Sequence, residues 1–218
     1  MSPHRGPAPR RLVVARHGET VDNAAGVWQG HADSALSERG RRQVASAAPH
    51  LAAYAPVTIV SSDLGRAVAT AEGVARLVGL PVRLDARLRE VDVGQWQGRG
   101  VPEVRAAHPE LVAALDRGED VARGVTGETR AEVAIRAGAA LREVADALAP
   151  GETALVVAHG VSGRVGVSDL VGLGQDVSDR VLRGLDNCHW VELVESSKSW
   201  STLTRWRIAG WNLGPPQA

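Results

Sequence analysis

The chain has 218 residues, with 25 basic and 25 acidic side chains and a formal net charge of zero. That length suits one domain with a sizeable core. Balanced charge gives no reason to expect a nucleic acid or a membrane surface as partner, so any anionic ligand has to be met by local clusters.

All the basic side chains except Lys198 are arginines, and the single Cys188 excludes an intramolecular disulfide, which fits a reducing compartment with the cytoplasm as default. Residues 1–10, with Pro3, Pro7 and Pro9, lack the apolar run of a signal peptide and read as a loose tail. No run of about 18 apolar residues occurs, which argues against a membrane-spanning helix.

In chain order, Leu12–Ala15 is an apolar run typical of a strand covered on both faces, and it stops at Arg16-His17-Gly18. Ser37 is placed to cap a helix carrying Val44, Ala47, Ala48 and Leu51, which Pro49 should kink or shorten. Val57–Val60 reads as a second strand. The cluster Ser61-Ser62-Asp63 after it should cap a helix towards Leu77, with Arg66 in the first turn.

Pro81–Leu84 predicts a short strand, and Leu88–Arg99 an irregular loop with Glu90 at its entrance. Thr129 and Glu132 form a T-x-x-E capping box before the apolar stripe Val133, Ala137, Ala140, Leu141, Val144 and Leu148, and Pro150-Gly151 ends that helix. Ala154–Ala158 predicts a buried strand ending in His159-Gly160, with an apolar, helix-compatible segment after it. Cys188–Val194 and Ser201–Ile208 alternate around a polar turn and predict an edge hairpin.

The whole predicts an α/β three-layer sandwich, a mainly parallel sheet flanked by helices. It gives one domain over 11–212 between tails at 1–10 and 213–218.

Three strands thus end in reactive side chains: Arg16-His17, Ser61-Ser62 leading to Arg66, and His159-Gly160. In open α/β sheets ligands bind outside the carboxyl ends of the strands, so these segments should meet in one crevice. Guanidinium forks match phosphate oxygens, and the backbone of Gly18 and Gly160 can approach an anion without obstruction. His17 would supply a nucleophile and Glu90 a proton donor and later base, with no metal or other cofactor in the scheme.

Arg16-His17-Gly18-Glu19-Thr20, Asn23, Leu36-Ser37-Glu38-Arg39-Gly40, Ser61-Ser62-Asp63-Leu64-Gly65-Arg66-Ala67, Leu88-Arg89-Glu90 and Val157-Ala158-His159-Gly160, in this order, resemble the signatures of the histidine phosphatase (phosphoglycerate mutase-like) superfamily. The resemblance implies that His17 is phosphorylated, that Arg16, Arg66 and His159 hold the phosphoryl oxygens, and that Glu90 is acid and then base. It implies a further phosphate contact from Asn23. Thr20, Gln29, Gly30, Gly160 and Ile208 are further candidate substrate contacts, with Arg99 a candidate pocket wall.

Trp28-Gln29-Gly30, Trp190 and Arg205-Trp206-Arg207-Ile208 with Trp211-Asn212 resemble the actinobacterial glucosyl-3-phosphoglycerate phosphatase group. The interval from Glu90 to His159, 159 − 90 = 69 residues, is short for the long insert of cofactor-dependent mutases. Hydrolysis of a small sugar or glycerate phosphate is therefore expected. Mutase-type phosphoryl transfer and a regulatory phospho-ligand-binding module without turnover are the alternatives, and a homodimer is left open.

Plainer roles suit the remaining candidates. Trp96, Trp200, Trp206 and Trp211 are expected to pack, and Cys188 to be a buried thiol. His4, His50, His108 and His189 have no role, whereas His31 near Asp33 is a candidate substrate contact.

Overall fold

Short apolar runs without polar alternation fit only between two covering layers. The computed structural model, which describes residues 8–196 and 205–215, places them there. Strands β1 (Arg11–Arg16), β2 (Thr58–Ser61), β3 (Val82–Leu84), β4 (Thr153–Ala158), β5 (Trp190–Glu195) and β6 (Trp206–Leu213) form one sheet in the order β3-β2-β4-β1-β5-β6. The first four are parallel, β5 runs antiparallel to β1, and β6 antiparallel to β5.

The helices are α1 (Val21–Ala25), α2 (Glu38–Ala52), α3 (Gly65–Val78), α4 (Val101–Ala107), α5 (Pro109–Asp116), α6 (Arg130–Asp146), α7 (Gly160–Leu170) and α8 (Gln175–Val181). Successive strand side chains point to opposite faces. Val13, Ala15, Ile59, Leu155 and Val157 accordingly pack against α2 and α3 through Val44, Leu51, Ala67, Ala71 and Val74. Leu12, Val14, Val60, Ala154 and Val156 pack against α6 and α7 through Leu141, Val144, Val167 and Leu170. This is the three-layer α/β sandwich expected.

The chain leaves β1 towards one face, through α2, and leaves the adjacent β4 towards the other, through α7. The divergence opens a crevice at their carboxyl ends. No helix among the described residues is long and apolar enough to cross a membrane.

Local signals hold in some places and mislead in others. Ser37 caps α2, its Oγ accepting from Gly40 N at 2.9 Å. Pro49 does not cut the helix short, because it sits in the last turn, where only one carbonyl loses its donor before Ala52 ends the helix. No residue of the Ser61–Asp63 cluster is the N-cap of α3: that is Leu64, without a side-chain bond, while Ser62 Oγ accepts from Leu64 N at 3.3 Å and lies 2.8 Å from His159 Nε2.

The second strand of the hairpin, β6, lies further along than alternation indicates, and β5 starts after Cys188, whose φ of 58° makes a left-handed turn. Trp200 and most of the predicted turn fall outside the described residues. Helices α4 and α5 have no clear signal in the sequence; they join Val91, Val93 and the fully buried Trp96 in a satellite cluster with Val133 and Val165.

At the start of α6, Thr129 Oγ1 accepts from Glu132 N at 3.2 Å while Glu132 Oε2 accepts from Thr129 N at 2.8 Å. Thr129→Ala should remove about 1 kcal/mol of stability. In a domain of this size that lowers Tm by about 2–4 °C, and an unchanged melting curve would show that the cap contributes nothing.

Candidate active site

The β1/β4 register pairs Arg16 with Ala158, so the next residues, His17 and His159, emerge side by side. Their ring centroids are 5.0 Å apart. The His17 ring is buried, and its Nδ1 lies 2.7 Å from Gly18 O. A carbonyl only accepts, so Nδ1 carries the proton and Nε2 keeps its lone pair. Burial, then the charges of His159, Arg16 and Arg66, hold His17 well below its ordinary range, which keeps the ring neutral. Its carbonyl is fixed by Asn187 Nδ2 at 3.0 Å and Cys188 N at 3.2 Å.

Arg66, in the first turn of α3, reaches across to the second histidine, its Nε donating to His159 Nδ1 at 3.2 Å. Its two Nη atoms donate to Ala32 O and Gly30 O, each at 2.8 Å, which leaves further N–H groups for an anion. Gly30 has φ 53°, and a Cβ there would lie 2.7 Å from Val93 Cγ2, so only glycine presents this carbonyl to Arg66. His159 Nε2 lies 2.8 Å from Ser62 Oγ, and burial followed by Arg66 and Arg16 keeps His159 well below its usual range.

Arg16 donates from Nη1 to Leu185 O at 2.6 Å, while its buried Nε has no partner among the described residues. Gly160 lies beside it: a Cβ there would be 3.6 Å from Arg16 Cζ and 3.5 Å from Glu90 Oε2. Gly160 is the first residue of α7, where a backbone N–H has no intrahelical acceptor.

Glu90 sits against that helix end. Its carboxylate accepts from Val91 N at 2.9 Å, Ser162 N at 3.0 Å and Val161 N at 3.1 Å. Burial pushes its pKa up, but the N–H groups of Val161, Val91 and Ser162, with Arg66, outweigh it and leave the group below the ordinary carboxylate range. Arg136 clamps the same segment, donating to the carbonyls of Arg87, Arg89 and Glu90.

Of the other expected contacts, Asn23 and Thr20 form the capping box of α1. Thr20 Oγ1 donates to Gln29 Oε1 at 3.0 Å and accepts from Asn23 N at 3.0 Å, so this hydroxyl positions its neighbours. Asn23 Oδ1 accepts from Thr20 N and from Asn187 Nδ2, which ties it to the His17 loop. His31 Nε2 lies 2.8 Å from Glu90 O, near the site.

Ile208 is a correction. It pairs with Leu193, which pairs with Leu12 near the start of β1. His17 lies five residues further along, about 16 Å by strand rise, so Ile208, half-buried against the cluster that holds Leu193 and Trp206, is not a wall of this crevice. Arg99 is engaged with Glu103 and His108.

Cys188 is a buried core thiol whose pKa burial pushes up to about 12. The sequence singles out Ser62 but not its histidine partner, and gives no sign of Asn187, Arg136 or Thr70, whose Oγ1 accepts from Gly18 N at 3.1 Å. Asn187, Arg136 and Thr70 lie in no motif that announces a contact made so far along the chain. A groove of about 880 Å³ between α2 and α3 contains none of these site residues.

The two neutral histidines imply a pH response. Both have folded pKa values below the reference of 6.5, so as pH falls through 6.5 the unfolded chain takes up protons that the folded one does not. Stability is full above that value and is lost below it, by up to about 1.4 kcal/mol per pH unit for each histidine. Tm should therefore fall between pH 7.5 and 5.5. A His159→Gln variant should show a shallower fall; an identical slope would contradict the assignment.

A neutral imidazole with a free Nε2, among arginines at the carboxyl edge of a parallel sheet, defines a phosphoryl-transfer enzyme of the α/β class. The family model of the histidine phosphatase superfamily (branch 1) matches residues 12–208, and the chain belongs to that superfamily. It is a phosphoric monoester hydrolase. A glucosyl-3-phosphoglycerate phosphatase of Mycolicibacterium vanbaalenii is 38% identical over 93% of this chain and 94% of its own length. A "Probable phosphoglycerate mutase" of Erwinia tasmaniensis is 34% identical over 92% of this chain and 89% of its own. A solved mycobacterial glucosyl-3-phosphoglycerate phosphatase in complex with VO3 superposes with a TM-score of 0.84 at 36% identity, covering 93% of this chain and 98% of that one.

Proposed function

We propose that the chain removes phosphate from a small sugar- or glycerate-phosphate monoester, with glucosyl-3-phosphoglycerate the substrate favoured by its relatives, through a phosphohistidine at His17. The observation that carries this reading is the Nδ1 bond from His17 to Gly18 O, which leaves Nε2 free beside Arg16, Arg66 and His159. Nε2 attacks phosphorus in line, the P–N bond forms, and the P–O bond to the organic group breaks as Glu90 passes a proton to the departing oxygen. Arg16 Nε, the spare N–H groups of Arg66 and Gly160 N hold the equatorial oxygens, and His159 joins them by sharing its single N–H, on Nε2, between Ser62 Oγ and the phosphate. Glu90, now a carboxylate, takes a proton from water, which attacks phosphorus and releases His17.

Glu90 is ionised in the empty site, so the first proton arrives with the ester as its monoanion. Gln29, Gly30, Thr20 and Asn23 shape the floor of the site. The cytoplasm is the working compartment we assign, on the single unpaired Cys188.

The test is phosphate release from glucosyl-3-phosphoglycerate beside 3-phosphoglycerate and simple hexose phosphates. Preference for the glucosylated ester supports the specific substrate, and equal rates on hexose phosphates reject it. Primer-dependent formation of an isomer without free phosphate would replace hydrolysis with mutase chemistry.

A further inference from the structure

Buried guanidinium groups are normally paired, and an unpaired one marks a position where something is missing. Two arginines have a buried side-chain nitrogen with neither a hydrogen bond nor an ion pair among the described residues: Arg16 at Nε and Arg123 at Nη1. The phosphoryl group accounts for Arg16. Nothing in the reaction uses Arg123.

Arg123 is 7% exposed, and among the described residues its side chain makes no hydrogen bond or ion pair. Its backbone is tightly held. Arg123 N donates to Glu128 O at 3.1 Å, Gly127 N donates to Arg123 O at 2.8 Å, and Gln95 N donates to Gly124 O at 3.0 Å. A Cβ on Gly124 would fall 1.8 Å from Val93 O, and Val125 is held at φ 67°, a conformation a β-branched residue seldom adopts. The turn is thus locked onto the segment after Glu90.

The neighbouring charges are already matched. Arg130 and Arg164 both pair with Asp179, Arg130 also with Asp120, and Glu128 with Arg136. Arg123 is left as the unmatched cation.

Glu128 N donates to Asp92 O at 2.9 Å and Gln95 N to Gly124 O at 3.0 Å, so the turn that bears Arg123 stands against residues 92–95, directly after Glu90. The backbone of His17 is bonded instead to Ala158, Asn187 and Cys188. Arg123 thus stands on the Glu90 side of the crevice, and Glu90 is the carboxylate that acts most strongly on it. In-line attack by His17 sends the leaving oxygen to Glu90, so the organic part of the ester extends towards that side.

We propose that Arg123 is a second anion subsite, which takes the carboxylate of a phosphoglycerate-type ester whose phosphoryl group lies against His17. The inference rests on the reading of His17 as the phosphate end of the site. A charge-assisted bond of this kind is worth about ten- to a hundredfold in Kd.

Titration calorimetry on the full chain carrying His17→Ala, which cannot turn over, tests this with 3-phosphoglycerate and glycerol 3-phosphate as probes. They share the phosphate and differ in the carboxylate. The ratio of their Kd values should favour 3-phosphoglycerate at least tenfold, collapse to within threefold when Arg123→Gln is added, and be partly restored by Arg123→Lys. No preference with Arg123 present, or a preference that survives Arg123→Gln, overturns the proposal. So does a markedly lower Tm for ligand-free Arg123→Gln, since removing an unpaired buried charge should not destabilise the fold. Because binding is read without turnover, a wild-type chain that releases no phosphate but keeps the Arg123-dependent preference rejects the hydrolytic reading and leaves the subsite standing.

Discussion

Replacing His17 with alanine should reduce phosphate release by about 10⁴-fold or more, because the covalent route disappears while the cationic pocket remains. The wild-type enzyme, quenched during turnover, should carry a phosphate that acid removes and alkali does not, as expected of a P–N bond, and the variant should carry none. Folding should survive, since β1 and β4 do not depend on the ring, so far-UV dichroism and Tm serve as controls. Asparagine at this position should be equally inactive, which separates loss of the nucleophile from loss of volume. A variant rate within tenfold of wild type would eliminate the phosphohistidine and with it the assigned roles of Glu90 and Arg66.

Glu90→Gln should show the second large effect, and its size should depend on the leaving group. For an alkyl ester the departing alkoxide needs a proton, and loss of a general acid costs about 10²–10⁴-fold. p-Nitrophenolate departs unaided, so with p-nitrophenyl phosphate the first step should survive. The second step, in which Glu90 activates water, should not. The variant should then release one equivalent of p-nitrophenolate in a burst and stall as phosphoenzyme, whereas an alkyl ester gives no burst.

The pH dependence has a matching sign. The N–H groups of Val91, Val161 and Ser162 keep Glu90 ionised in the free enzyme. The proton must come with the substrate, so kcat/KM for an alkyl ester should fall as pH rises through the second phosphate ionisation, about 6. Equal losses on both substrates, without a burst, would reduce Glu90 to a structural carboxylate holding the end of α7.

Much of this site can be read before any coordinates, because its parts hang on strand ends and the strands announce themselves. Unbroken apolar runs at Leu12–Ala15 and Ala154–Ala158 mark doubly covered strands, and the residues after each run must lie at the carboxyl edge. His17 and His159 emerge in that way, as does Arg66 after the run at Val57–Val60, whereas Glu90 is read from the loop after Leu88; the motifs of the superfamily assign all four their roles as expectations.

Register and distance are harder to read. Alternation in the C-terminal hairpin gives faces but not partners, and the irregular pairing near Glu192 shifts β6 along β5, so Ile208 lies at the wrong end of the sheet. Ser62 precedes a helix and has the composition of a cap, but a hydroxyl takes whichever partner is near, here a histidine 97 positions away. Arg123 and Asn187 have no local signature. Their meaning comes from the groups that surround them in space.

The attachment of the nucleophile to the far end of the chain has a consequence for biosynthesis. Leu185 O accepts from Arg16, and Asn187 Nδ2 and Cys188 N donate to the carbonyl of His17. That loop is in turn fastened by Asn212 to Asp186 and by Trp211 to Arg183. Residues 11–17 leave the ribosome long before residues 211–212, so the hydrogen bonds that steady the loop behind His17 are completed only after the last strand has been made.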